Sequence, residues 1–239
     1  MGQTLVPVVP QINFSRAHVL EEEFYWYTDA QLWTKLVTDA GTSVAWTAGA
    51  GGLVLLTTGA TDNNEVAIAT TNAVFTPATN KPFNSVFYFQ YAEAATDDAN
   101  VAVGFSSGMN VANVIADDGG APHTATNTAC FIYKVDGGTV WKCLTQVGTA
   151  QTISTSTKTA GGTAQAYAQI NILPTADSKW EVEFRVDDKP LLDSTTYRAI
   201  KHSVTLTGVV AMKAGVYVKA GGATSETLKL DKVSVAQVR

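Results

Sequence analysis

Trp180, Val182, Phe184 and Val186 alternate with Glu181, Glu183 and Arg185. Successive side chains on a β-strand point to opposite faces, so this segment has one apolar face and one charged face. A helix would scatter the same residues around its circumference. The run therefore calls for a strand of an antiparallel sheet, half buried on a core and half in water. Asp187-Asp188-Lys189-Pro190 then turns the chain into Leu191-Leu192.

Short segments of this kind recur from about residue 42 onward. Ser43 to Thr47 and Leu53 to Thr58 flank Gly49-Ala50-Gly51-Gly52, a hairpin connection. Glu65 to Thr70 alternates Val66 and Ile68 with small or polar residues. Ser85 to Ala92 carries Val86, Phe87, Tyr88, Phe89 and Tyr91, which suits a buried central strand, and Asn100 to Ser106 follows. Ala129 to Val135 and Thr139 to Gln146 bracket Val135-Asp136-Gly137-Gly138, a strong hairpin signal. Gln165 to Leu173, Ala214 to Lys219 and Glu226 to Val238 supply further strands. In the last, Leu228 and Leu230 change phase with Val233 and Val235 near Asp231-Lys232, which predicts a bulge there.

Other segments do not alternate. Residues 1–25 read as an N-terminal arm, because Pro7 and Pro10 exclude a helix or a central strand. Within Ala17 to Leu36, Glu21, Glu22 and Glu23 precede Phe24, Tyr25, Trp26 and Tyr27, and either a short helix or a strand could begin there. Ser107 to Asn127 is a long loop, of a length that tends to be functional or interfacial. Gly148 to Gly162 is Thr-, Ser- and Gly-rich and reads as an exposed loop or projecting hairpin. About a dozen strands with almost no helical period predict an all-β, two-sheet antiparallel jelly-roll sandwich over residues 26–239. No linker divides that region, and no repeat of fixed period is visible.

Composition narrows the function classes. Charged residues are 15% of the 239, against about 25% in ordinary domains. That suits either a Thr-rich sheet surface or an exterior buried against partners. A net charge of −5 with scattered Lys and Arg argues against nucleic acid, whose phosphates need clustered cations. No apolar stretch reaches the ~18 residues of a membrane span. The N-terminus has neither the pattern of a secretory signal nor that of myristoylation, so synthesis in a cytoplasm is expected. Cys130 and Cys143 would face each other across a two-residue Asp136-Gly137 turn, whereas a turn centred on Gly137-Gly138 would separate them. Free buried thiols are the expectation in a reducing compartment.

Catalytic constellations are sparse. Glu181 and Glu183 have the i, i+2 spacing of glycosidase carboxylates on one strand face, but Arg185 and Asp187 occupy the next partner positions. A solvated strand face explains them as well. His18, His123 and His202 lie in separate regions with no nucleophile motif beside them. Asp62, Asn63, Asn64 and Glu65 pack oxygen donors suited to Ca²⁺ into one turn, and Asp97, Asp98 and Asn100 add another group. Asp and Asn are also common turn formers, so the expectation is no catalytic residue and no cofactor, with Ca²⁺ at 62–65 the one alternative.

Gly59-Ala60-Thr61-Asp62-Asn63-Asn64-Glu65, and Phe87-Tyr88-Phe89-Gln90-Tyr91 running into Asn100-Val101-Ala102-Val103-Gly104-Phe105, resemble phage virion proteins with a concanavalin-like (LamG-like) jelly roll. Trp180 to Asp188 and the closing Glu226 to Val233 extend the resemblance over most of residues 45–239. It implies a capsid decoration (cement) protein, a homotrimer in the virion that binds the major capsid protein and stabilises the shell. The interface residues would be Leu5, Val6, Val8, Val9, Ile12 and Phe14 of the arm, with Tyr25 and Trp26. The alternative is a carbohydrate-binding or receptor-binding module of a fibre or tail, with Trp46, Trp141 or Tyr217 exposed as a sugar-stacking platform.

Overall fold

The computed structural model describes residues 17–36, 39–47, 52–96, 98–109, 114–116, 127–161, 165–175 and 178–238. Among them the regular elements are strands. The first eight are β1 (Ala17–Glu22), β2 (Trp33–Lys35), β3 (Ser43–Thr47), β4 (Leu53–Thr57), β5 (Glu65–Thr70), β6 (Phe83–Ala92), β7 (Ala99–Ser106) and β8 (Asn127–Lys134). Then come β9 (Val140–Gly148), β10 (Ala150–Thr159), β11 (Ala166–Pro174), β12 (Lys179–Val186), β13 (Lys189–Pro190), β14 (Lys201–Thr205), β15 (Lys213–Ala220) and β16 (Thr227–Val238). They form two sheets in which neighbouring strands are antiparallel. The larger runs β13-β12-β11-β6-β16-β4-β3, with β1 also on β16 and β14 on β12; the smaller runs β10-β9-β8-β7-β15-β5-β2.

The core lies between the sheets and is built by alternation. On β6, Phe83, Phe87, Phe89 and Tyr91 face inward, and Ser85 among them donates its hydroxyl to the Ile170 carbonyl at 2.8 Å. Trp180, Val182, Phe184 and Val186 of β12 are buried, as their spacing requires. They meet Val101, Val103 and Phe105 of β7 and Ile132 of β8 in one cluster. The Phe105 ring makes edge contacts with Phe75, Phe83 and Phe87 at 5.1–5.7 Å, a geometry in which positive ring edges meet negative faces. The phase change in β16 is a register break between Leu230 and Lys232, and Leu228, Leu230, Val233 and Val235 are all buried on either side of it. Without the extra residue one half of that strand would present its apolar side chains to water.

The β12–β13 turn is tight. Val186 pairs with Lys189, and both Asp187 and Asp188 take left-handed backbone angles, φ 53° and 59°. Two left-handed central residues match the twist of a two-residue hairpin, and Asp tolerates that conformation better than most residues.

The structure decides several readings that the residue pattern left open. Ala17 to Leu36 holds two strands, β1 and β2, in different sheets, and no helix. Of the segment assigned to the arm, Ala17 to Glu22 pairs with β16 and Phe24 is fully buried; residues 1–16, with Leu5, Val6, Val8, Val9, Ile12 and Phe14, lie outside the described residues. The Thr-rich segment after Gly148 is β10, hairpinned to β9 with Val147 opposite Ala150. The β8–β9 register sets Cys130 opposite Thr145 and Cys143 opposite Ile132, the register of a turn centred on Gly137-Gly138, with residues 135–139 between the two strands. Both cysteines are free and buried, and burial pushes their thiol pKa values well up.

The middle strands of the smaller sheet, β5, β7 and β15, are buried on both faces. That sheet's outward Ala67, Ala69, Ala102, Phe131, Tyr133 and Tyr217 form a second cluster with Met109, Val114 and Ile115. These last three come from the long segment after β7, so the described parts of that segment cover a sheet face. At Gly215 an added Cβ would lie 2.8 Å from the Met109 methyl, so the small side chain makes room for this cover.

Candidate functional site

The larger sheet keeps its outer face open, and a groove of about 550 Å³ lies on it. Strand register sets the floor. Tyr88 of β6 stands opposite Lys232 on one side and Tyr167 of β11 on the other; one step along, Val86 stands opposite Ser234 and Gln169. These positions point outward because their neighbours Phe87 and Phe89 point inward. The Tyr88 and Tyr167 rings lie 4.6 Å apart, tilted by 38°. Gln169 donates to the Tyr167 hydroxyl at 2.7 Å and fixes its direction.

The wall of the groove comes from the turn after β1. Phe24 has a left-handed backbone (φ 48°) that drives its ring into the core against Trp33 and turns Tyr25 and Trp26 outward. Gly52 permits this approach, since a Cβ there would sit 2.1 Å from the Phe24 carbonyl oxygen. Trp46, itself half exposed, donates its indole N–H to that oxygen at 3.0 Å. Tyr25 donates to Glu23 at 2.8 Å, and Lys232 reaches Glu21 and Glu23 at 2.9 Å each. Those two carboxylates raise the Lys232 pKa, and Lys232 with Tyr25 lowers that of Glu23. Gln165 donates to Asp231 at 2.9 Å at the opposite rim. The groove thus offers aromatic faces in its floor and carboxylate acceptors around its edge.

The remaining candidates lie elsewhere. Glu181 and Glu183 point outward from β12 but share Lys201, at 2.8 and 2.6 Å. Both carboxylates are thus engaged in an ion pair on the solvated face of the strand. Around the Ca²⁺ candidate, Asp62 and Asn63 bond to one another, Asn64 donates to the Ala40 carbonyl, and Glu65 is buried and accepts from the Tyr217 hydroxyl. Each of the four side chains is thus engaged by a protein partner. Among the described residues no group of three or more His, Cys, Asp or Glu side chains has the arrangement of a metal site. Asp98 and Asp62 do lie near enough to Asp136 to help raise its pKa, after burial, the larger cause; Asp97 is outside the described residues. His18 packs on Phe75, His202 is buried, and His123 is outside the described residues. Trp141 and Tyr217 are buried, which corrects their assignment to an exposed platform, whereas Trp46, Tyr25 and Trp26 are exposed.

Sequence reading missed Tyr88, Tyr167, Gln165 and Lys232. In Phe87-Tyr88-Phe89 the aromatic character of both faces hides the alternation, so only register assigns Tyr88 outward.

No protein-family model matches the chain, and no curated protein sequence does. Solved structures do resemble it. An endo-1,3-beta-glucanase from Streptomyces sioyaensis aligns with TM-score 0.62 and 12% identity, over 98% of this chain and 99% of the other. The metal-free carbohydrate recognition domain of Emp46p aligns with TM-score 0.58 and 12% identity, over 90% and 94%. The galactose complex of lectin UEA-II aligns with TM-score 0.58 and 12% identity, over 93% and 99%. The fold is accordingly the concanavalin-like jelly-roll sandwich of lectins. That upholds the fold half of the resemblance drawn from sequence, and the virion half gains no support from it. The Emp46p domain also exists in a potassium-bound form. Most of these similar structures are lectins, with the glucanase showing that the fold also serves hydrolysis.

Proposed function

We propose that this protein is a carbohydrate-binding module without catalytic activity, and that its ligand sits in the groove over Tyr88 and Tyr167. The observation that carries the reading is the aromatic pair at 4.6 Å on an open sheet face, rimmed by Glu21, Asp231 and Lys232. A sugar ring has an apolar C–H face and a hydroxyl periphery, so it matches an aromatic floor with a polar rim. The volume falls within the range of about 300–1,000 Å³ common to small-molecule sites. The likeness to lectin structures supports the same class of ligand.

A glycan array with and without Ca²⁺ tests the reading. Binding is expected, and Tyr88→Ala and Tyr167→Ala should each weaken it by about tenfold or more, the cost of truncating an aromatic hot spot, with an unchanged circular dichroism spectrum. No binding in either condition sinks the proposal.

A second reading rests on Tyr25 and Trp26, which are 66% and 71% exposed at the end of β1. Exposed aromatics suit a protein contact. Here the chain would be a trimeric capsid decoration protein in the virion, seated on the major capsid protein through these residues and the arm. Native mass spectrometry showing a monomer, or capsid binding unaffected by deletion of residues 1–14 with Trp26→Ala, would remove it.

A further inference from the structure

The described lining of the groove is also unbalanced in charge. Glu21, Glu23 and Asp231 contribute three carboxylates, and Lys232 is the one cation among the described residues that line it. That ammonium is already held by Glu21 and Glu23, so two negative charges stand in excess. Several donors are already engaged: the Tyr25 hydroxyl with Glu23, one Gln165 amide N–H with Asp231, and the Lys232 ammonium with its two glutamates. A ligand therefore meets an excess of carboxylate acceptors around an aromatic floor.

We infer, building on the carbohydrate reading above, that the groove takes neutral or amino sugars and rejects uronic, sialic and sulfated ones. A neutral sugar brings hydroxyl donors to the open carboxylate oxygens. A free amine adds an ammonium, which forms stronger charge-assisted hydrogen bonds to the same acceptors. An acidic sugar brings a third negative charge beside the two in excess, and such like-charge placement works chiefly as a barrier to the wrong ligand. The groove is open to solvent, so the discrimination is strongest at low ionic strength and fades as salt screens it.

The experiment is a polysaccharide array in matched charge states: β-1,4-glucan, its glucosamine counterpart and its glucuronate counterpart, with galactan and galacturonan as a second series. It is run at about 20 mM and about 500 mM salt, which lengthens and shortens the screening distance. Binding is expected for neutral and amino polymers, with the amino polymer gaining most at low salt. Glu21→Gln combined with Asp231→Asn removes both excess charges and leaves the tyrosine floor in place. This variant should narrow the preference over the acidic polymers by about tenfold, the usual scale of a displaced charge contact. Acidic polymers binding as well as their neutral counterparts, or a preference unmoved in the double variant, overturns the charge selection and leaves the groove as a sugar site. Binding of no polymer in either series overturns both.

Discussion

Lys134 is fully buried, and its ammonium sits 2.6 Å from Glu93 and 3.1 Å from the Ala99 carbonyl. Glu93 also accepts from the Ala99 backbone at 3.1 Å, so one carboxylate organises the β6–β7 connection and neutralises the lysine. Removing only the acid strands a charge in a dry site. Glu93→Gln is expected to cost about 3–5 kcal/mol in urea unfolding, whereas Lys134→Met, which deletes the charge with its desolvation cost, should cost far less. A loss of equal size in both would disprove this account. Gly104 is as demanding for a different reason: at φ 145° an added Cβ would lie 2.2 Å from the Cys130 carbonyl oxygen. Gly104→Ala should therefore lower the melting temperature sharply, where Gly137→Ala, with open space around it, costs only the strain of its positive φ.

At the scale of elements, β14 is tied across the sandwich by His202. Its Nδ1 lies 3.1 Å from the Thr145 hydroxyl of β9, its Nε2 lies 3.0 Å from the Ser154 hydroxyl of β10, and its ring packs on Phe184. These partners carry no charge, and burial lowers the imidazole pKa from 6.5 to about 4. The folded state thus holds the neutral ring, while the unfolded chain takes up a proton near 6.5. Stability is whole above that pH and falls as the pH drops toward 4. Between pH 7 and pH 5 the loss from this group should be about 2 kcal/mol. Urea titrations at the two pH values measure it, and His202→Gln should flatten most of the difference. Undiminished pH dependence in that variant would assign the effect to other groups.

At the scale of the molecule, the two sheets differ in what they expose. The smaller is covered on its outer face by Met109, Val114 and Ile115, while the larger presents Tyr88, Tyr167 and the polar rim to solvent. Binding confined to the folded state adds stability by mass action. A glycan at 100 times its dissociation constant should add about 2.7 kcal/mol and raise the melting temperature. Tyr88→Ala, binding about tenfold more weakly, should cut that gain to about 1.4 kcal/mol or less at the same glycan concentration, and an undiminished shift would locate the ligand elsewhere.

Period-2 patterning in Trp180 to Val186, the phase change at Asp231-Lys232 and the Gly- and Asp-rich turns carried the two-sheet sandwich, because strand geometry and turn conformation are local properties read directly from residue order. The groove was not legible in this way. Tyr88, Tyr167, Lys232 and Tyr25 are far apart in the chain, and they meet only because β11 and β16 flank β6 in one particular register. The same limit applies to Cys130 and Cys143, whose separation depends on the register of the β8–β9 hairpin, and to Trp141 and Tyr217, whose burial depends on the layers above them. Local preference determined which segments of this protein are strands. Register and layer packing, which are long-range and cooperative, decided which side chains face water together and so where a ligand could bind.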